Sequence, residues 1–392
     1  MSTGLQVKAA EYESRILSLK QAMAEQSIDM FLITDQANFE YFSGYKSLFW
    51  ISKARPMALL IPREDKAAII VSSTVEALPL KLTKEVPHLV EHVTYRGFTP
   101  EFVDAVTGAS ERYNPKTIAI DYGFECFGLG SLTLVDGIKE KFPGVKLIEG
   151  GDCVWALRAV KSPTEIEQKK AALEVATSTF MECLADLRLG DTEVEFARRL
   201  TVRMIEKGAS SVPWLPVRFG RGSFAYSLPP TDRALAADDF IWVDMGCEVN
   251  GSLSDVNRIA KAGKVTAEEQ ARYQEVRAMT VSTLSSLRAG MTGREAYEVF
   301  ENHAQQSSLG LPAAFTSFAS RVGHGSGSNL TEPPSISPNS DEILREGMII
   351  HVEPKYEIDG GVYQVEEVAV ITAQGADIIT CVSPEHLPEA AI

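Results

Sequence analysis

Residues 240–255 read FIWVDMGCEVNGSLSD, and this stretch decides the fold. Its apolar start predicts a buried strand that ends at the carboxylate of Asp244. Asn250-Gly251 is typical of a two-residue hairpin turn, and a turn centred there places Asp244 opposite Asn257. Residues two apart on a strand share a face, so Asp255 would lie diagonally across from Asp244 on the same face. The stretch therefore predicts a hairpin with two neighbouring carboxylates.

A second hairpin with paired acids is predicted near the carboxyl end. His351-Val-Glu353-Pro is followed by Asp359-Gly360, another hairpin dipeptide, and then by Glu366. A turn centred on Asp359-Gly360 places Glu353 directly opposite Glu366. Like charges in that position destabilise a strand pair unless something neutralises them. Two such pairs favour bound cations, although single acids on hairpins usually face solvent.

Gly323-His324-Gly325-Ser326-Gly327 is predicted to be a glycine-rich loop. Glycines allow the backbone to approach a site closely, and the imidazole of His324 could donate a nitrogen to a metal ion. A lone histidine is more often structural, so this segment carries little weight by itself. A phosphate-binding loop is not indicated, because the segment lacks the lysine and the strand-to-helix context of such loops.

The composition is that of an acidic globular protein. The 392 residues favour two domains, and 45% hydrophobic with 23% charged residues is close to the globular average. The net charge of −15 disfavours nucleic acid as a partner, since both would be negative. No apolar run approaches the roughly 18 residues of a membrane span, so no membrane partner is expected. Five scattered cysteines without a CxxC pair indicate a reducing cytoplasm.

Two regions of different character follow from the pattern of apolar residues. The first 150 or so residues alternate helices and strands, with a boundary near Gly150-Gly151. Ser162-Pro163 then opens a long helix, because serine suits the cap and proline the first turn. The second region separates its strands from its helices, which predicts an α+β catalytic domain. The predicted strands are Met30 to Ile33, Met57 to Ile61, Ala67 to Val71, Thr117 to Ile120, Phe240 to Met245, Ile349 to Val352 and Val368 to Ile371. The predicted helices are Glu11 to Glu25, Thr192 to Glu206, Ala267 to Leu287 and Gly293 to Gln306.

Five of these residues together resemble the ligand set of the pita-bread metallopeptidases, which include methionine aminopeptidase, aminopeptidase P and prolidase, with creatinase as a metal-free relative. They are Asp244, Asp255, His324, Glu353 and Glu366. Three further segments resemble motifs of the prolidase, aminopeptidase P and creatinase branch. Asn38 to Gly44 is similar to N-x-x-Y-x-T/S-G, Leu157 to Pro163 to the R-x-I-K-S/D linker, and Gly347 to Pro354 to G-M-x-x-x-x-E-P. The resemblance implies a smaller α/β creatinase-type domain over residues 1–155 and a pita-bread catalytic domain over residues 156–392.

The resemblance also implies a dinuclear metal centre. Asp255 and Glu366 would bridge two divalent ions, Asp244 would complete one ion, and His324 with Glu353 would complete the other. Oxygen-rich ligation with one imidazole suits manganese, cobalt, iron or zinc. A water bridging the metals would attack an amide bond, and Glu353 would be the catalytic proton acceptor.

The sequence departs from the family at three positions around the centre. Ser227, Thr331 and Gln364 stand where the peptidases have histidine, histidine and arginine, groups that hold the substrate carboxylate and move protons. These three residues are therefore candidates for substrate binding. Arg218 and Arg221 could replace the missing grip on an anion, or they could be solvated loop arginines. Trp50 is a further candidate, either near a partner subunit's site or in the core.

Three functional hypotheses follow. The first is a cytoplasmic, homodimeric hydrolase of the Xaa-Pro peptidase type with a dipeptide or other small-molecule substrate. The alternative is a metal-dependent hydrolase or lyase of a small zwitterionic metabolite, of the ectoine or dimethylsulfoniopropionate type. The third is a catalytically silent binding module, such as occurs among chromatin-associated relatives.

Overall fold

The computed structural model describes residues 7–64, 67–87, 89–128, 131–222, 224–225, 227–311 and 321–392. These residues form two compact units that divide between Arg158 and Ala159. In the described part of the chain, no helix combines the length and the apolar character that crossing a membrane requires.

The N-terminal unit alternates helices and strands along the chain. Its helices are α1 Ala9–Glu25, α2 Gln36–Ser43, α3 Ala77–Leu82, α4 Thr99–Glu111, α5 Leu132–Lys141 and α6 Gly151–Arg158, with short 3-10 turns at Leu48–Ile51 and Thr74–Glu76. Its strands are β1 Met30–Ile33, β2 Ala58–Pro62, β3 Ala68–Ser73, β4 Val90–Tyr95, β5 Thr117–Ile120, β6 Tyr122–Gly123, β7 Cys126–Phe127 and β8 Lys146–Glu149.

Six of these strands form one mixed sheet with both faces covered. The strand order is β4-β3-β2-β1-β5-β8, with β1 antiparallel to β2 and parallel to β5. Successive residues of a strand point to opposite faces. Phe31 accordingly packs in one apolar cluster with Phe39, whereas Leu32 packs in the other with Phe102. A sheet buried on both sides explains why β1 is an uninterrupted apolar run.

The C-terminal unit separates into helices and several small sheets. Its helices are α7 Pro163–Ala185, α8 Glu193–Glu206, α9 Ala267–Ser286 and α10 Gly293–Gln306. Its strands are β9 Ser211–Trp214, β10 Val217–Gly220, β11 Phe240–Asp244, β12 Gly246–Val249, β13 Ser252–Leu253, β14 Asn257–Ala262, β15 Gly323–Gly325, β16 Glu332–Ile336, β17 Ile349–Val352, β18 Lys355–Ile358, β19 Gly361–Gln364, β20 Glu367–Ile371, β21 Ala376–Ile378 and β22 Glu389–Ala390.

Helix starts in this unit follow the predicted capping chemistry. Ser162 accepts a hydrogen bond from the backbone of Glu165, whose side chain returns one to the Ser162 backbone, and Pro163 occupies the first turn. Thr266 and Thr292 cap α9 and α10 in the same way. These reciprocal bonds satisfy backbone N–H groups that a helix start would otherwise leave without partners.

Both predicted hairpin registers are confirmed. Asp244 lies opposite Asn257 in the β11–β14 pair. The β17–β20 pair places Val352 opposite Glu367, and the β18–β19 pair places Lys355 opposite Gln364. The same register brings Glu353 and Glu366 across from each other between these two pairs. At the turns, Asn250 and Asp359 have φ of 53° and 50°, and the glycines that follow are also positive, as a type I′ turn requires.

The prediction of a glycine-rich loop around His324 is wrong, because residues 323–325 form β15. This strand lies between β16 and β17, and His324 is opposite His351. A Cβ on Gly323 would lie 1.9 Å from the carbonyl oxygen of His351, and one on Gly325 would lie 2.4 Å from that of Pro333. The glycines therefore allow the strands to pack closely. In a sequence, the same glycines are equally typical of a loop.

A buried ion pair lies in this unit. Nζ of Lys161 is 3.0 Å from Oε2 of Glu332, and the two side chains keep 3% and 1% of their exposure. Nζ also donates to the carbonyl oxygen of Ala159, and Oε1 of Glu332 accepts from the backbone of Asn329. Removing one partner of such a pair leaves a buried charge without its counter-ion.

We expect Lys161→Met to lower the free energy of unfolding by about 3–5 kcal/mol, the usual cost of breaking a buried pair. Urea denaturation followed by circular dichroism measures this loss. The matched control is Lys170→Met, which removes an exposed pair with Glu167 and should cost less than about 1 kcal/mol. Equal losses in the two variants would contradict the expectation.

Candidate metal centre

A compact group of potential ligands lies in the C-terminal unit. Ligand atoms of Asp255, His324, His351 and Glu366 all lie within 4.8 Å of one another, and all four residues are buried. Nε2 of His324 is 3.6 Å from Oδ2 of Asp255 and 3.3 Å from Oε1 of Glu353. The two predicted hairpins and the strand that carries His324 thus bring their side chains to one place.

Asp244 adds another carboxylate to this group. Its Oδ2 accepts a hydrogen bond of 2.9 Å from Nε1 of Trp214. Its Oδ1 is buried and has no hydrogen-bond partner within the described residues. Burial, followed by the charge of Glu353, raises the pKa of Asp244 from 3.8 to about 7. A buried carboxylate oxygen without a donor is costly, and a bound cation would satisfy it.

Two other carboxylates of the group, Asp255 and Glu366, also have raised pKa values. Burial raises the pKa of Asp255 well above its ordinary value, and the charges of Asp244 and Glu353 raise it further. Burial also raises the pKa of Glu366 well above its ordinary value, with added repulsion from Asp255. Carboxylate oxygens and imidazole nitrogens are donors that manganese, iron, cobalt and zinc accept. The residues present therefore fit a site for divalent metal ions.

Glu366 is held firmly by hydrogen bonds. Its Oε2 accepts from the backbone N–H of Asn257 at 2.7 Å, and its Oε1 lies 2.7 Å from Nδ1 of His351. Asn257 in turn donates its side-chain amide to the carbonyl oxygen of Val243. Glu366 is thus tied to both hairpins.

His351 is the residue of this group that the sequence prediction missed. It lies two residues before Glu353, and its ring stacks on that of His324 with centroids 4.9 Å apart. Burial lowers the pKa of His351 well below 6.5. Strand alternation could have found it, because residues two apart on a strand share a face.

Among the predicted substrate-binding residues, Gln364 contacts a carboxylate of the centre. Its Nε2 lies 3.3 Å from Oε2 of Glu353, and its Oε1 accepts from Nε1 of Trp242 at 2.8 Å. Ser227 is exposed in the segment that follows β10, and Thr331 is half-buried just before Glu332.

The two predicted arginines make contacts within the protein. Arg218 is buried and donates to the carbonyl oxygens of Ala225, Leu228 and Pro229, so it holds the segment that carries Ser227. Arg221 is partly exposed and donates to the carbonyl oxygens of Asp238 and Asp359 and to the carboxylate of Glu269. Trp50 lies in the N-terminal unit, where its ring packs edge-on against Phe39.

The sequence prediction also lacks two lysines near the centre, the buried Lys169 and the half-buried Lys355. Nζ of Lys169 donates to the carbonyl oxygen of Leu253 at 2.6 Å, and burial lowers its pKa to about 8. Nζ of Lys355 donates to the carbonyl oxygen of Phe224 at 2.5 Å and lies 5.0 Å from the ring centroid of Trp242. Both lysines are close enough to the carboxylates to offset part of their negative charge.

Family comparisons agree with this architecture. Residues 167–373 match metallopeptidase family M24, and residues 15–160 match the creatinase/prolidase N-terminal domain. With the cluster described above, these matches define a metal-binding hydrolase. The chain belongs to metallopeptidase family M24, in its pita-bread prolidase branch, and it is an enzyme. The predicted fold class and family are thereby confirmed.

Individual relatives match along nearly the whole chain. The uncharacterized peptidase YqhT of Bacillus subtilis (strain 168) is 26% identical over 381 residues, covering 95% of this chain and 99% of that protein. An Xaa-Pro dipeptidase of Pyrococcus furiosus is 24% identical over 381 residues, covering 96% of this chain and 100% of that protein. The solved structure of an Xaa-Pro dipeptidase from Bacillus anthracis superposes with a TM-score of 0.82 at 23% identity, covering 96% and 99% of the two chains, which shows the common fold.

We expect the stability of the metal-free protein to fall as the pH rises. The pKa of Asp244 is raised from 3.8 to about 7 on folding, so the folded state keeps a proton that the unfolded chain releases. Its contribution to stability is complete below pH 3.8 and is lost as the pH rises through about 7. Urea denaturation of chelator-treated protein at pH 5 and at pH 8 measures this loss.

Asp244→Asn should reduce the loss, and saturating manganese should reduce it in the unmodified protein. Asp232→Asn is the control, since Asp232 is exposed in a loop. If the slope of stability against pH is the same in Asp244→Asn as in the control, Asp244 does not carry the effect.

Proposed function

We propose that this protein hydrolyses the amide bond of Xaa-Pro dipeptides with the help of divalent metal ions. The observation that carries the proposal is the buried cluster of Asp255, His324, His351 and Glu366. Beside it, Oδ1 of Asp244 has no donor among the described residues. Similarity along nearly the whole chain to a protein named Xaa-Pro dipeptidase supports the substrate class.

Two divalent ions, drawn from manganese, cobalt, iron and zinc, are the proposed cofactors. Asp255 and Glu366 would be shared by both ions, Asp244 would complete one, and His324 with Glu353 would complete the other. Two divalent ions would balance the charge of the four carboxylates. When bound, such ions lower the pKa of water and polarise a substrate carbonyl.

Glu353 is the proposed proton acceptor. Its side chain keeps 27% of its exposure, whereas Asp255 keeps 7% and Glu366 keeps 1%. A proton taken up by Glu353 can therefore pass to a departing amine or to solvent. The amide of Gln364 donates to Oε2 of Glu353 at 3.3 Å, which holds the carboxylate in one orientation.

Ser227, Thr331 and Gln364 are proposed to line the substrate site. Their hydroxyl and amide groups can hydrogen-bond to a substrate carboxylate but carry no positive charge. Arg218 would act through its backbone contacts by ordering the segment of Ser227. Without the charged groups of the resembled peptidases, we expect a dipeptide carboxylate to bind weakly, which raises KM. Arg221 and Trp50 complete the proposed set of substrate residues.

A cytoplasmic homodimer is the proposed state of the protein in the cell. All five cysteines are free, and four of them are buried, which suits a reducing compartment. Leu48 and Ile51 of the N-terminal unit keep 94% and 91% of their exposure. A second subunit would remove such apolar side chains from water.

We expect manganese-loaded protein to cleave Ala-Pro and to lose this activity when EDTA removes the metal. Release of free proline measures the reaction, and Ala-Ala is the control for selectivity towards proline. If protein with two bound ions releases no proline, the proposed substrate is wrong, and small amidated or sulfonium metabolites should be tested instead.

Glu353→Gln is expected to lower kcat for Ala-Pro about 10²–10⁴-fold, the usual contribution of a positioned acid or base. The measurement is made at saturating manganese, because the variant also changes a proposed ligand. Glu346→Gln is the matched control, since Glu346 is exposed and lies shortly before β17. A kcat close to that of the control would exclude Glu353 as the proton acceptor.

A further inference from the structure

We propose that His351 is a positioning residue that orients Glu366 for metal binding, and that Ser326 fixes the tautomer of its ring. This inference rests on the proposed metal centre but not on the proposed substrate. It assigns a role to two residues outside the five-ligand set, one on β17 and one just after β15.

The contacts of the His351 ring are short and enclosed. Nδ1 lies 2.7 Å from Oε1 of Glu366, and Nε2 lies 2.6 Å from Oγ of Ser326. His351 and Ser326 have no exposed surface, and Glu366 keeps 1%. Water therefore does not compete for either ring nitrogen, and both are fully used by protein groups.

The direction of these hydrogen bonds follows from their chemistry. An ionised carboxylate can only accept, so Nδ1 of His351 must donate to Glu366 when Glu366 binds a cation. A neutral imidazole has one donor and one acceptor nitrogen. Nε2 must then accept the hydroxyl proton of Ser326. The chain of bonds runs from the Ser326 hydroxyl through the imidazole to Oε1 of Glu366 and fixes one tautomer.

The backbone holds the plane of this ring. His351 lies directly opposite His324 in the β15–β17 pair, and the two rings stack with an interplanar angle of 13°. The absence of a Cβ at Gly323 is what lets the His351 backbone come so close. The same imidazole therefore packs against one proposed ligand, His324, and donates to another, Glu366.

In a positioning role, Nδ1 of His351 carries a proton and donates it to Glu366. In direct ligation, a ring nitrogen would instead offer its lone pair to the metal ion. A metal on Nδ1 would require that atom to lose its proton and its bond to Glu366. With Glu366 tied by Asn257 at Oε2 and by His351 at Oε1, each carboxylate oxygen still has a lone pair for an ion. Groups that orient ligands in this way typically change metal affinity 10–100-fold when removed.

The test compares manganese binding to His351→Asn and His351→Leu by isothermal titration calorimetry. The amide nitrogen of asparagine is attached to Cγ, as Nδ1 is in histidine, so it can donate to Glu366 but is a poor metal ligand. We expect His351→Leu to weaken manganese binding 10–100-fold and His351→Asn to restore most of the affinity. Ser326→Ala should weaken binding less than His351→Leu.

The matched control is Ser72→Ala in the N-terminal unit, where Oγ of Ser72 lies 2.8 Å from Nε2 of His92. This change removes a serine–histidine bond that involves none of the proposed ligands and should leave manganese affinity unchanged. Circular dichroism checks that each variant is folded, and Ser326→Ala tests the network if His351→Leu does not fold.

Three results would overturn the proposal. Equal losses in His351→Asn and His351→Leu would make His351 a direct ligand. Unchanged affinity in His351→Leu would remove any role in metal binding. An unmodified protein that binds no manganese would refute the metal centre as well. An unmodified protein that binds manganese but does not cleave Ala-Pro would contradict only the proposed substrate, and the affinities would still decide the role of His351.

Discussion

Repulsion between carboxylates on facing strands is the constraint on which the rest of the C-terminal unit depends. The hairpin registers bring four acids together, and burial raises the pKa of Asp244, Asp255 and Glu366. Several features of the unit moderate this cost. Backbone and imidazole N–H groups donate to Glu366, and the buried Lys169 and half-buried Lys355 lie close to the carboxylates. Oδ1 of Asp244 still has no hydrogen-bond partner within the described part of the chain, and a cation bound there would satisfy it.

The fold could be predicted well from local sequence signals. Asn250-Gly251 and Asp359-Gly360 fixed both registers because a type I′ turn accepts few other residues and determines which positions face each other. Helix starts were predictable for a similar reason, since Ser162 and Pro163 act through the backbone of their own turn. Such signals are local, so one sequence is sufficient to read them.

The candidate site was only partly predictable, because its remaining parts depend on tertiary contacts. Strand alternation can place His351 on the same face as Glu353, but the role of its ring depends on Ser326 and Glu366, which tertiary contacts bring to it. The glycines of residues 323–325 predict a loop, since the sequence does not show that a neighbouring carbonyl oxygen occupies the space of a Cβ. The contacts of Arg218 with three backbone carbonyls are likewise invisible in a sequence, where it is simply a cation near Ser227.

Burial of the cluster has a kinetic consequence as well. Asp255, His324 and Glu366 keep between 1% and 7% of their exposure, whereas Glu353 keeps 27%. An ion held by these residues would therefore enter and leave on the side of Glu353, and its exchange would be slower than at an exposed carboxylate. Removal of metal by a chelator and loading with manganese would accordingly need longer incubation than the affinity alone suggests.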